Sequence, residues 1–385
     1  MLERPGYLQR LAVAVERSPV TALLGPRQCG KTTIAREFCA RRDAVFFDLE
    51  SEPDSRSLAN PELALGSLEG LVVLDEIQAA PHLFNVLRVL VDRAQNQCRF
   101  LILGSASPAV VRGVSESLAG RVEFIEMSGF DLGEVQAPNW RQLWLRGGLP
   151  RSYLAASEDD SVAWREGFVH TFLERDIPQL GISIPASALR RFWTMLAHWH
   201  GQTWNASEIG RSMSATDKTV RRYLDLLTGT YMMRQLQPWF ENIAKRQVKA
   251  PKVYFRDTGL LHTLLGLTNE AELLSHPRVG ASWEGFALEQ VLQALRPASA
   301  WFWAIHQAGE LDLFLEGRGQ RIGFEMKFNE APHLTRSMRN AAETLALDHL
   351  YIVCPTRASY PLERNVTVLS IADCPGLPER LRGSV

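Results

Sequence analysis

Apolar residues fall in short unbroken runs over the first third of the chain and in mixed periods beyond it. Residues 20–24 (Val-Thr-Ala-Leu-Leu), 44–49, 71–74 (Leu-Val-Val-Leu), 99–105 and 122–127 each read as a strand. The run at 71–74 has the continuous apolar character of a strand covered on both faces. Residues 33–40, between the first two runs, read as a helix. From 129 to 180 the pattern is mainly helical, broken by Arg146-Gly147-Gly148-Leu149-Pro150. Helices follow at 193–200, at 206–213 with Ser207 as its cap, and at 218–227 after a turn over 214–217. Val220, Tyr223, Leu224 and Leu227 fall on one face of the last of these at i, i+3, i+4 and i+7. Residues 231–236 and 252–255 read as a hairpin. Residues 310–315 alternate with Glu310 and Asp312 facing inward, and a turn over 316–320 leads to a strand at 321–327. A helix at 335–346 and a strand at 350–354 complete a second α/β pattern.

Between the first strand and the first helix stands Gly25-Pro26-Arg27-Gln28-Cys29-Gly30-Lys31-Thr32, followed by Thr33. This is a complete G-x-x-x-x-G-K-[ST] phosphate loop in its required context. Its glycines let the backbone close on a polyphosphate, and the helix adds its positive end. Lys31 would reach the β- and γ-phosphates, and the Thr32 hydroxyl would ligate Mg²⁺.

The strand at 71–74 ends in Asp75-Glu76. Asp75 is the expected second Mg²⁺ residue and Glu76 the residue that orients or deprotonates the attacking water. In an additional-strand P-loop ATPase the strand at 99–105 lies between these two motifs, which makes Ser105 the candidate sensor of the γ-phosphate or the water. Arg121, just before the last strand, stands where oligomeric ATPases carry an arginine finger. A finger acting on a neighbouring subunit implies self-association, for example as a ring.

The short helix, turn and basic helix at 206–227 form a helix-turn-helix pattern with the hairpin as its wing. Lys218, Arg221 and Arg222, with Lys245, Arg246, Lys249 and Lys252 of the wing, are candidates for DNA phosphates. Near the C-terminus, Asp312, Glu325 and Lys327 match the D…(D/E)-x-K pattern of restriction-type nucleases. There Asp312 and Glu325 would hold a metal ion, Lys327 would assist the water, and Glu284 offers a further ligand.

Composition narrows the partners. With 42 basic and 43 acidic residues the formal net charge is −1, so nucleic acid would have to be met by a local patch. Five scattered cysteines without a CxxC argue against a disulfide framework or zinc site and for a reducing cytoplasm. The first residues lack a signal-peptide core, and no 18-residue apolar run predicts a membrane span.

Together these segments resemble prokaryotic AAA-type ATPases that carry a C-terminal domain of unknown function with a PD-(D/E)xK-like core. The resemblance rests on the P-loop, Asp75-Glu76-Ile77-Gln78, Gly104-Ser105, Leu118-Ala119-Gly120-Arg121, Pro251 to Leu260, Glu310-Leu311-Asp312 and Glu325-Met326-Lys327. Leu311 stands where the nuclease pattern has proline. The resemblance implies ATP rather than GTP, Mg²⁺, and an α/β chain in four parts. These are a P-loop AAA+ type parallel sheet (1–130), a helical lid (131–185), a winged helix (186–268) and a small restriction-nuclease-like domain (269–385). Three readings stay open: ATP-linked action on DNA, an ATP-driven switch or scaffold with an inactive nuclease-like domain, and a nuclease that ATP only assembles. No chemistry follows from Pro251 to Leu260, which are expected to pack the wing on the ATPase body.

Overall fold

The computed structural model describes residues 2–40, 42–94, 97–105, 108–179, 184–240, 249–305, 309–317 and 319–382, and of 108–112 and 382 the backbone alone. The chain forms two compact units, Met1–Gly129 with Gly229–Tyr231 and Phe130–Thr228 with Met232–Val385.

The first unit is built on strands β1 (Val20–Gly25), β2 (Ala44–Asp48), β3 (Gly70–Asp75), β4 (Cys98–Ser105) and β5 (Val122–Glu126), in the order β2-β3-β4-β1-β5. All pairings are parallel. Their apolar runs are what such a sheet requires, because helices cover both faces. Ala22, Leu23, Val72, Val73, Leu74, Leu101 and Ile102 are buried in it, and helix Leu83–Val91 adds Leu83 and Leu87. β4 lies between β1 and β3, which sets Gly25 level with Ser105 and Asp48 level with Asp75. The polar residues that follow the strands are thereby gathered at one end of the sheet, where open α/β sheets bind ligands.

The second unit begins with helices and ends with a sheet. Its strands are β6 (Gln202–Thr203), β7 (Met233–Pro238), β8 (Lys252–Phe255), β9 (Trp301–Ile305), β10 (Gly309–Gly317), β11 (Gln320–Met326), β12 (His349–Cys354), β13 (Tyr360–Glu363) and β14 (Val366–Ser370). Among the described residues they form one sheet in the order β13-β14-β12-β11-β10-β9-β7-β8-β6. The expected wing, β7 with β8, is therefore no free hairpin. Gln237 and Pro238 of β7 pair in parallel with Trp301 and Phe302 of β9, and the hairpin extends the C-terminal sheet.

Two further details correct the sequence reading. Asn205, not Ser207, caps helix Ala206–Met213: its side chain accepts the Glu208 amide, and Ser207 donates to Asn205 instead. In β10, a strand inside the sheet with helices packed against it, Leu311 to Leu315 are buried without alternation and Glu310 is exposed; the register against β9 shifts between Leu311 and Phe314.

The segment Pro251 to Leu260 pins a turn within its own unit. Asp257 caps helix Thr258–Leu265 through the Leu260 amide, and its other oxygen accepts from Gly148 at 2.8 Å and Leu149 at 3.3 Å. Gly147 has φ 76°, and a Cβ there would lie 2.2 Å from Asp257 Oδ1. One on Gly259 would lie 2.1 Å from the Arg146 carbonyl. Below this turn, His262 Nδ1 faces the Leu145 carbonyl at 3.0 Å and Nε2 faces Ser282 Oγ at 2.7 Å.

Candidate functional sites

The loop after β1 takes the shape its glycines allow. Gly30 is left-handed (φ 101°) at the head of helix Lys31–Cys39, which no side chain caps. At Gly25 a Cβ would sit 2.2 Å from the Met127 carbonyl, so only glycine fits there. Lys31 is buried, and its ammonium donates to the carbonyls of Gly25 (3.1 Å) and Pro26 (2.9 Å). It thus lies inside the loop, where phosphate oxygens would compete for it. Arg27 pairs with Glu50 at 3.5 Å, and Gln28 has φ 61°.

Arg4 is a buried residue that the sequence reading missed. Its guanidinium donates to the carbonyls of Cys29 (3.1 Å), Ser128 (3.2 Å) and Gly129 (3.0 Å), bracing the loop from behind. No motif announces it; an arginine just before a helix-starting proline looks like any surface residue.

The acids at the end of β3 meet the loop directly. Thr32 Oγ1 donates to Asp75 Oδ2 at 2.7 Å, and the other Asp75 oxygen accepts the Glu76 amide at 2.9 Å. Burial raises the pKa of Asp75 above the ordinary carboxylate range, and Glu76 and Asp48 add to this against the Thr32 hydrogen bond. Glu76 adopts a left-handed backbone (φ 55°), and its carboxylate accepts from Gln78 Nε2. The same amide donates to Ser105 Oγ at 3.1 Å. Gln78 thereby joins the residue at the tip of β4 to the acid at the tip of β3. The room for it comes from Gly104, where a Cβ would lie 3.1 Å from Gln78 Oε1. The sequence carried Gln78 only as part of a motif, with no role.

Arg121 makes a two-pronged ion pair with Asp92, Nε to Oδ1 at 2.7 Å and Nη2 to Oδ2 at 2.8 Å, and donates to the Ala119 carbonyl at 2.9 Å. A role as a finger would require it to exchange Asp92 for phosphate.

In the second unit, Lys218, Arg221 and Arg222 are exposed on helix Asp217–Gly229, whose Val220, Leu224 and Leu227 are buried. Tyr223 packs edge-on to Phe192 with ring centroids 5.5 Å apart. Lys249 is exposed; Lys245 and Arg246 lie outside the described residues. Lys252 departs from the expected role, because it is buried and turned away from any solvent-borne phosphate. Its ammonium lies 3.0 Å from Glu284 Oε1 and 3.4 Å from Asp312 Oδ1, and it also pairs with Glu310.

The remaining C-terminal candidates surround this lysine. Glu284, on helix Val279–Leu295, also accepts from Tyr254 Oη at 2.6 Å. Asp312 Oδ2 accepts the Met326 amide at 2.9 Å. Glu325 and Lys327 share one side of their strand as their spacing requires, with 2.7 Å between Oε1 and the ammonium. Glu325 Oε2 is buried without a hydrogen-bond partner. Burial, and then the charge of Asp312, push its pKa up to about 8, and the same two causes raise that of Glu284. Among the described residues no three His, Cys, Asp or Glu side chains are grouped to hold a metal ion. No described helix is long and apolar enough to cross a membrane.

A parallel sheet of this order, with a phosphate loop after β1 and paired acids after β3, is the architecture of a P-loop nucleoside-triphosphatase domain, here of the AAA type. Three successive family models match the chain: an AAA domain over residues 17–136, and two domains of unknown function, DUF8612 over 137–271 and DUF4143 over 279–374. The chain belongs to the same family as the Uncharacterized protein Rv2008c of Mycobacterium tuberculosis and the Uncharacterized protein Mb2031c of Mycobacterium bovis. It is 50% identical to each over 369 residues, which cover 96% of this chain and 84% of theirs. Among solved structures, the Walker-type ATPase PABY2304 of Pyrococcus abyssi shares the fold, with a TM-score of 0.50 and 13% identity over 69% of this chain and 96% of that one.

Proposed function

We propose that this protein is a Mg²⁺-dependent ATP hydrolase whose nucleotide state is passed to a DNA-contacting helix-turn-helix in the second unit. The observation that carries the first half is the Thr32–Asp75 hydrogen bond of 2.7 Å beside the buried Lys31. An all-oxygen pair of this kind fits a hard cation, so Thr32 and Asp75 are the residues that would hold Mg²⁺. Bound there, the ion would neutralise charge on the β- and γ-phosphates. The backbone from Gly25 to Gly30 and the amides of Lys31, Thr32 and Thr33 would wrap the phosphates, with Lys31 transferring its ammonium from loop carbonyls to phosphate oxygens. Glu76 would take the proton of the attacking water, and Ser105 would sense the γ-phosphate. Arg121 of a neighbouring subunit would complete the site, which makes an oligomer the working form.

Exposed Lys218, Arg221 and Arg222 over an apolar helix face support contact with DNA phosphates. We read the C-terminal strands as a nuclease-like fold that does not cut by a metal-dependent route. The candidate ligands do not fit a metal ion, since Lys252 stands among them. The domain is read as a binding or switching module in a cytoplasmic protein.

The test is ATP turnover by wild type and Glu76→Gln, each with and without duplex DNA. Loss of a general base lowers turnover about 10²–10⁴-fold, with ATP binding retained. DNA should stimulate the wild type, and replacing Lys218, Arg221 and Arg222 together by alanine should remove the stimulation. Undiminished turnover in Glu76→Gln would refute the hydrolytic assignment; indifference to DNA would leave an ATP-driven switch or scaffold.

A further inference from the structure

Lys252 reaches the carboxylate pocket from β8, not from β10 or β11, 32 residues before Glu284 and 60 before Asp312. Its side chain is 5% exposed, its ammonium touches Glu284 and Asp312 at 3.0 and 3.4 Å, and Glu310 closes the outer side. Tyr254, two residues along the same strand, donates to the Glu284 oxygen that also faces Lys252. Deeper in the group, Glu325 leaves Oε2 buried and without a partner. The acids of this pocket thus already face a cation, the Lys252 ammonium.

We propose that Lys252 is the resident cation of this pocket, filling with a covalently tethered ammonium the place of a divalent ion and closing the nuclease-like domain to metal. The physical argument is one of charge and tether. Buried carboxylates need a compensating positive charge. An ammonium that arrives with the fold supplies it without the entropy of capturing a free ion, and a dication would have to displace it against its own chain. Three carboxylates, those of Glu284, Asp312 and Glu310, face the ammonium and keep its charge compensated in the buried pocket. The closed pocket then ties β8 to β10 and to helix Val279–Leu295 as a charge lock.

The test is Mn²⁺ uptake by the full chain without nucleotide, followed by the electron paramagnetic resonance of free Mn²⁺. Wild type and Asp312→Asn should bind alike, because the pocket takes no metal in either. Lys252→Met keeps the bulk and removes the charge; it should gain affinity for Mn²⁺ by about tenfold or more. That gain should vanish in Lys252→Met/Asp312→Asn. Circular dichroism and thermal unfolding check that the variants are folded, and Lys252→Gln replaces the methionine if it is not. Asp312-dependent Mn²⁺ binding by wild type would overturn the proposal whatever the variants do. So would a folded Lys252→Met or Lys252→Gln that binds no more Mn²⁺ than wild type.

Discussion

At the tip of β3, three side chains on two strands share one amide. Gln78 donates to Glu76 and to Ser105, so a change in what Ser105 touches is transmitted to the orientation of the proposed base. The tight space under Gly104 makes that coupling stiff. Hydrogen bonds to charged groups contribute about 1.5–3 kcal/mol, which corresponds to a rate effect of roughly 10–100-fold. Gln78→Leu is therefore expected to lower kcat by that factor while the KM for ATP changes little. A steady-state titration checks it, and an unchanged kcat would remove Gln78 from the mechanism. The placement of Ser105 between the two motifs was expected from the sequence, but the Gln78 amide that links it to Glu76 was not, since it depends on how the turn after β3 folds back towards β4.

At the scale of elements, the turn at Gly147–Leu149 and the head of helix Thr258–Leu265 fold as one piece. Asp257 serves both, accepting the Leu260 amide with one oxygen and those of Gly148 and Leu149 with the other. Gly147→Ala would force a side chain into a backbone conformation reserved for glycine (φ 76°, ψ 179°) and against Asp257. The backbone cost is about 1–3 kcal/mol, and displacing Asp257 from buried amides adds about 1–3 kcal/mol. A loss of roughly 2–6 kcal/mol is expected in chemical denaturation. Gly266→Ala is the comparison: Gly266 is left-handed helical (φ 74°, ψ 24°) and faces open space, so a backbone cost of about 1–2 kcal/mol is all that remains. Equal losses in the two variants would contradict the interlock. Both halves of this piece were visible as motifs, Arg146 to Pro150 as a helix break and Pro251 to Leu260 as a run without assignable chemistry. Neither names its partner, because a cap and the turn it reaches are more than 100 residues apart.

For the whole molecule, the open matter is how many chains make a complete site. Arg121 is held by Asp92 of its own chain, in a pair exposed enough to exchange partners. If it acts as a finger on a neighbour, Arg121→Ala should cost about 10³-fold or more in turnover. Mixing Arg121→Ala with Glu76→Gln should then restore part of the activity, since each chain supplies what the other lacks. Turnover measured across a mixing series decides this, and a flat series would confine Arg121 to its own subunit or to the Asp92 pair.

The sequence by itself determined the chemistry that is contiguous. The phosphate loop, Asp75-Glu76 and the basic helix face are encoded in runs of a few residues, where spacing along the chain fixes spacing in space. Asp312, Glu325 and Lys327 were legible for the same reason, as neighbours on a hairpin and a strand. Only the tertiary structure decided what occupies the space between such groups. Arg4 behind the loop, Gln78 across two strand ends and Lys252 among the acids are brought in by chain closure over 25 to 125 residues. For Lys252 this reversed the expected role. A lysine at the start of a wing strand reads as a solvent-facing cation, whereas the continuation of the hairpin into the C-terminal sheet buries it where opposite charge must accompany it.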